Sequence, residues 1–276
     1  MRNTNNSGNK WGLLEFEKLT LDEWEKNFYE KGSKQLGKLT FYHVWLRSVE
    51  NAGTRVAEFI RREEYMEAIK SLGDAFGLLC YFVRKFREHH KILPLSGIAW
   101  DKYPGMCYGC ADKIPEHEAK GEDYCACICL GMQGKPDSKE KSEKRLEFAR
   151  KKKKKPKTMD EWSGMIKSIY KGAHSVLPIS AICLHFIEEI GEVTRELYEY
   201  GELEERQAPE PELERKIKNL EGEIADTFSW IFGLMNKIDQ FFDKARDYYE
   251  KKAKLPPLKT SEIAKEALKA FPRTHE

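Results

Sequence analysis

Four carboxylates in the C-terminal third of the chain have the spacing that phosphate chemistry needs. Glu189 and Glu192 stand three apart within His185-Phe-Ile-Glu-Glu-Ile-Gly-Glu-Val-Thr-Arg195, and Glu223 and Asp226 do the same within Glu221-Gly-Glu-Ile-Ala-Asp-Thr-Phe-Ser-Trp230. On a helix, residues three apart are neighbours on one face, so each pair makes a two-carboxylate edge. If the two edges meet, four negative charges share one volume and raise one another's pKa unless a cation neutralises them. Hard oxygen donors of this kind suit Mg²⁺ or Mn²⁺. For either pair alone, the plain alternative is a solvated acidic helix face. Two such pairs, each set into an apolar helix, tip the balance towards a metal.

The elements that must position these acids read as helices. Leu184, Ile187, Ile190, Val193 and Leu197 recur at helical spacing beside the first pair, and Ile224, Phe228, Ile231, Leu234 and Met235 do so beside the second. A further helix is expected over 160–171, where Lys167 and Lys171 stand four apart with Trp162 and Tyr170 nearby. The lysines could meet phosphates and the aromatics a base, against the alternative of a solvated lysine edge over core aromatics. His185, one turn before Glu189, is either a phosphate contact or a partner of the carboxylates.

Glu189-Ile-Gly-Glu192 followed by Glu223-Ile-Ala-Asp226 resembles the E-x-x-E … E-x-x-D signature of the MazG-like all-α nucleoside triphosphate pyrophosphohydrolases. That superfamily also holds dimeric dUTPases and phosphoribosyl-ATP pyrophosphohydrolases, and the likeness covers about residues 158–240. The resemblance implies a Mg²⁺-dependent enzyme that cleaves a nucleoside triphosphate, NTP or dNTP, between its α and β phosphates. Glu189, Glu192, Glu223 and Asp226 would hold one or two Mg²⁺ ions, and Lys167, Lys171 and His185 are candidate substrate contacts. The rival reading is a non-catalytic nucleotide sensor or adaptor.

A second motif-bearing stretch lies mid-chain. Cys107-Tyr-Gly-Cys110 and Cys125-Ala-Cys127-Ile-Cys129 hold five of the seven cysteines, at spacings that let thiolates converge on one ion. The expected site is a structural zinc on Cys107, Cys110, Cys125 and Cys127, with Cys129 as the alternate fourth ligand and His117 as a loop residue. Free thiols and an iron–sulfur centre are the other readings. Cys80 and Cys183 sit in apolar runs and read as core.

The chain also repeats itself. Thr20-Leu-Asp-Glu-Trp24 returns as Thr158-Met-Asp-Glu-Trp162, an offset of 138 that also lays Gly53 on Gly191. Leu72-Gly-Asp-Ala-Phe76 returns as Ile224-Ala-Asp-Thr-Phe228 at offset 152, the extra residues falling around 201–213. Aligned this way, the first copy has Asn51, Thr54 and Ser71 where the second has Glu189, Glu192 and Glu223, and only Asp74 matches a carboxylate. The first copy should therefore supply packing rather than metal ligands. Pro209 and Pro211 interrupt the second copy, suggesting a loop over 201–214 at the mouth of the site.

Length and charge bound the rest. The 276 residues, 40% of them hydrophobic, can bury one large core or two smaller ones. Lys+Arg 48 against Asp+Glu 46 announces no nucleic-acid or membrane partner. No apolar run of membrane-spanning length or signal-peptide start appears, and the expected location is the cytosol. The run Arg150-Lys-Lys-Lys-Lys-Lys-Pro-Lys157 reads as a solvated helix or linker, with nucleic-acid binding as the alternative; a homo-oligomer is compatible with the sequence. The expected fold is all-α, two tandem helical units in a pseudo-dimeric bundle. The expected parts are a degenerate unit over 11–100, a Cys-rich zinc-binding insertion over 101–135 and a basic linker over 136–157. An active unit over 158–255 and a tail helix over 256–276 follow.

Overall fold

The computed structural model describes residues 15–106, 139–249 and 259–272. Among them the chain is all-helical, with no strand beyond an isolated antiparallel bridge between Thr20 and Thr158. A 3₁₀ turn, Phe16–Lys18, leads into α1 (Leu21–Leu36) and α2 (Phe41–Val49), which runs through a π-helical stretch, Glu50–Val56, into α3 (Ala57–Arg61). Then come α4 (Tyr65–Arg87), α5 (Leu95–Lys102), α6 (Lys139–Lys152), α7 (Met159–Ile169) and α8 (Lys171–Val176). The long pair α9 (Ile179–Glu205) and α10 (Glu210–Tyr249) and the short α11 (Thr260–Ala270) complete the chain. None of the helices among the described residues is long and apolar enough to cross a membrane.

Local sequence explains the helix starts. Thr20 and Thr158 each accept a hydrogen bond from the backbone N–H three residues on, while Glu23 and Glu161 reach back to the capping threonine's N–H. These reciprocal caps satisfy donors that a helix start leaves unpaired. Thr40 caps α2 in the same way through the N–H of His43.

The core is continuous from end to end. Helix α4 runs through its middle, buried at Ala68, Ile69 and without interruption from Ser71 to Val83, with α1, α2, α10 and α11 packed on it. Gly77 lets α1 approach, since a Cβ there would stand 2.6 Å from the Phe28 ring. Phe76 meets Phe28 edge-on at 5.7 Å and Phe232 of α10 at 6.1 Å, and Trp162 meets Phe228 edge-on at 5.6 Å, so aromatic contacts tie the two halves of the chain. Cys80 and Cys183 are buried in this core. Ser261 of α11 bonds Asp160 through both its N–H and its hydroxyl, docking the tail helix on α7.

Several boundaries differ from expectation. The break between 100 and 101 falls inside α5, whose Leu95, Ile98 and Ala99 are buried and which packs on α10 as far as Lys102. The basic stretch 136–157 is not simply a solvated linker, because α6 buries Leu146 and Ala149 and its Arg150 holds Asp101 at the end of α5. The expected loop over 201–214 shrinks to Arg206–Pro209: α9 continues to Glu205, and Pro211 sits in the first turn of α10, where a missing N–H costs nothing. Leu184, counted in the apolar stripe of α9, is 67% exposed; the buried register runs Ile182, Phe186, Ile190, Val193, Leu197. Cys107, Cys110, Cys125, Cys127, Cys129 and His117 lie outside the described residues.

Candidate metal centre

Helices α9 and α10 form an antiparallel hairpin, and its register sets the site. His185 stacks on Trp230, Glu189 faces Asp226, and Glu199 pairs with Lys216; both members of each pair are equally distant from the Gln207–Ala208 turn. Glu192 and Glu223 share that register. Glu189 and Asp226 lie 18 residues from the turn and Glu192 and Glu223 lie 15, about 22 to 27 Å at helical rise, so the turn is not at the mouth of the site.

Three of the four expected ligands converge. One carboxylate oxygen from each of Glu189, Glu223 and Asp226 lies within 4.8 Å of the other two. Glu192 is outside this trio, its Oε1 3.4 Å from the Arg195 guanidinium. Octahedral Mg²⁺ with bonds of about 2.1 Å spans its ligand oxygens by at most about 4.2 Å, so small side-chain rotations would close the trio on an ion.

The electrostatics fit a cation. Burial first, then the charges of Asp226 and Glu192, pushes Glu189 up to about 8. Burial also pushes Glu223 up to about 7, against the opposing pull of Lys102. Glu189 Oε1 accepts a 3.2 Å hydrogen bond from Trp230 Nε1, while its Oε2 is buried with no hydrogen-bond partner. A buried carboxylate oxygen without a donor is costly, and a metal ion would satisfy it.

Two residues from outside the hairpin complete the centre. Lys102, the last residue of α5, donates from Nζ to Asp226 Oδ2 and, at 3.1 Å, to the Gly222 carbonyl. The next residue, Tyr103, donates its hydroxyl to Asp226 Oδ1. Burial, with Tyr170 and Asp226 beside it, pushes the Tyr103 phenol well above its ordinary range and keeps it a donor. Helix α5 is fixed by buried Glu25, which accepts from the Leu95 N–H at 2.8 Å, and by Glu221, which accepts from the Leu93 N–H at 2.8 Å. Its last turn is held where Arg150 and Lys218 both reach Asp101.

Beside the acids lies an aromatic cluster. His185 stacks on Trp230 at 4.9 Å, Tyr170 stacks on Trp230 at 6.0 Å, and His174 stacks on Tyr170 at 5.3 Å. His174 is buried and pushed down to about 4 by burial and Lys237, so it is neutral.

Of the expected phosphate contacts, only His185 reaches this centre, stacking on Trp230, and its Nδ1 also lies 3.2 Å from Glu188; of the aromatics expected to meet a base, Tyr170 reaches it too. Lys167 does not, because its ammonium lies 3.9 Å from Asp239, about 20 Å along α10 from Asp226. Lys171 is exposed at the start of α8, next to Tyr170. Trp162 is fully buried and packs in the core rather than against a ligand. Sequence reasoning missed Lys102, Tyr103 and Trp230. Trp230 was findable, one turn after Asp226, whereas Lys102 and Tyr103 arrive from more than a hundred residues away. Compared with protein-family models, curated proteins and solved structures, the chain matches none.

Proposed function

We propose that the protein is a divalent-metal-dependent nucleoside triphosphate pyrophosphohydrolase of the MazG-like kind, releasing pyrophosphate and a nucleoside monophosphate. The observation that carries the reading is the convergence of Glu189, Glu223 and Asp226, with Glu189 Oε2 buried and unpartnered. These three carboxylates would hold Mg²⁺. When bound, the ion would neutralise phosphate oxygens and acidify an attacking water. In the reaction the water oxygen bonds to the α phosphorus as the bond from that phosphorus to the α–β bridging oxygen breaks, and pyrophosphate leaves. Glu192, one turn from Glu189 and outside the trio, is the carboxylate left to accept the water's proton. The exposed His185 ring, stacked on Trp230, offers the base a partner, and the trio is beside it through the Trp230–Glu189 hydrogen bond.

The reading includes two tandem helical units, the first degenerate, with a zinc-binding insertion on Cys107, Cys110, Cys125 and Cys127 between them. What supports the tandem arrangement is agreement in detail. Helix α7 starts 138 residues after α1, and α9 starts 138 residues after α2. The bridge joining Thr20 to Thr158 pairs corresponding residues, as a local two-fold axis requires. Glu25 lies 3.9 Å from Arg84 in the first half, and the residues aligned with them, Ser163 and Asn236, share a 3.0 Å hydrogen bond in the second.

The test is pyrophosphate release from a panel of NTPs and dNTPs with Mg²⁺, Mn²⁺ or chelator. Metal-dependent release that is abolished in Asp226→Asn upholds the reading. Nucleotide binding without turnover, for every triphosphate in the panel, would make the protein a sensor or adaptor instead.

A further inference from the structure

We infer that Lys102 is a displaceable internal counter-cation: its ammonium occupies the Asp226 edge of the carboxylate trio, and a divalent metal and a triphosphate bind cooperatively because both act on it. The inference rests on the metal-site reading above.

Both oxygens of Asp226 are engaged from within the chain, Oδ1 by the Tyr103 hydroxyl and Oδ2 by Lys102. The tyrosine can stay when a metal enters, since Asp226 can coordinate through its other oxygen. The lysine cannot, because its positive charge is bonded to a member of the trio and would repel a divalent ion a few ångströms away. The free protein therefore has its cation already, and a metal must expel it.

The structure gives the ammonium somewhere to go. Lys102 also lines a cavity of about 150 Å³ that includes Asp101, Glu143 and Glu221, three carboxylates able to receive it. Arg150 and Lys218 line the same cavity and are tied to Asp101, so this wall is partly neutralised and a displaced ammonium is only modestly welcome there. The phosphates of an incoming triphosphate are a stronger partner. A ligand that stabilises the displaced position of Lys102 must tighten metal binding, and the metal must tighten that ligand by the same factor.

The experiment compares the full-length wild type with Lys102→Met and Lys102→Arg, reading free Mn²⁺ by electron paramagnetic resonance with and without a non-hydrolysable α,β-methylene triphosphate. Without nucleotide, Lys102→Met should bind Mn²⁺ at least about ten-fold more tightly than wild type, because a like charge beside the ion is gone, whereas Lys102→Arg should stay weak. The analogue should tighten Mn²⁺ strongly in the wild type and far less in Lys102→Met. Thermal melting identifies a variant that fails to fold, and the arginine variant then carries the test through its retained coupling. Equal or weaker Mn²⁺ binding by a folded Lys102→Met overturns the inference even if the wild type releases pyrophosphate. Tighter binding by Lys102→Met upholds it even if no triphosphate is turned over, in which case it is the proposed reaction that fails.

Discussion

Metal binding at the trio should expel protons, and the number is fixed by two carboxyl groups. In the metal-free protein burial, Asp226 and Glu192 push Glu189 up to about 8, and burial pushes Glu223 up to about 7. At pH 7 a group titrating near 8 carries about 0.9 of a proton and one near 7 about 0.5, so ionising both on metal binding releases roughly 1.4 protons. The same arithmetic gives roughly 1.9 at pH 6 and about 0.1 at pH 9, with metal affinity rising over that range. Stability must follow the same linkage. Because these folded-state values lie above the ordinary carboxylate range, the metal-free folded chain holds more protons than the unfolded one between about pH 4.5 and 8. Their contribution to stability is thus present at low pH and lost as pH rises through about 7 to 8, and metal should raise the melting temperature most at the alkaline end. Calorimetric titration with Mn²⁺ in buffers of different ionisation enthalpy counts the protons directly. Glu189→Gln should lower the count at pH 7 by about 0.9. Metal binding that releases no protons at pH 6 and 7 would refute the reasoning, because the carboxylates would already be ionised and the site would lie elsewhere.

Three further outcomes can be checked independently. If the first half contributes packing rather than ligands, Asp74→Asn should leave pyrophosphate release within about two-fold of wild type, whereas Glu192→Gln should cut it by at least about a hundred-fold, the usual scale for a lost general base; equal losses would count against the asymmetry. Full-length protein prepared without chelator should release about one zinc per chain on denaturation, as a closed four-thiolate site on Cys107, Cys110, Cys125 and Cys127 implies, and metal analysis that finds none, or finds iron, would exclude it. His174 is pushed down to about 4 and is buried, so the folded state holds it neutral while the unfolded state protonates it below about 6.5. Its contribution is lost as pH falls from about 6.5 to 4, on the order of 3 kcal/mol in all, and His174→Gln should flatten the acid limb of a stability–pH curve.

What could be read from the sequence was local. The two Thr-x-x-Glu caps, the helical character and the burial of Ile224, Phe228, Ile231 and Leu234 all follow from spacing within a few turns. The stripe on α9 was misread at Leu184 because a run rich in Leu, Ile and Phe satisfies more than one helical register, and only the partner helix decides which is buried. Lys167 was misassigned for a related reason. Spacing places it on a helix near Tyr170 but does not say how that helix lies against α10, where it meets Asp239 instead of the acids.

Lys102 and Tyr103 were out of reach of pattern reading because their role exists only through packing. Nothing in Trp100-Asp-Lys-Tyr103 announces an acidic partner; what delivers these two residues to Asp226 is α5 lying on α10, fixed at its start by Glu25 and Glu221 and at its end by Asp101. That placement bears on why one half would keep carboxylates and the other lose them. On the tandem reading, the positions aligned with Glu189, Glu192 and Glu223 are Asn51, Thr54 and Ser71, which need no counter-charge; Asn51 donates to the Arg47 carbonyl at 2.9 Å and its stretch is π-helical. The second half keeps its acids and must balance them when no metal is bound, and the balancing ammonium comes from the helix that follows the first half's α4. The first half then serves the site through the lysine it carries to it, and a chain cut between α5 and α7 would leave the trio uncompensated. Such a fragment, if it folds, should bind Mn²⁺ more tightly than the whole protein and show no further tightening by a triphosphate analogue. A fragment that binds Mn²⁺ as weakly as the whole chain would show that Lys102 is not what holds the metal off.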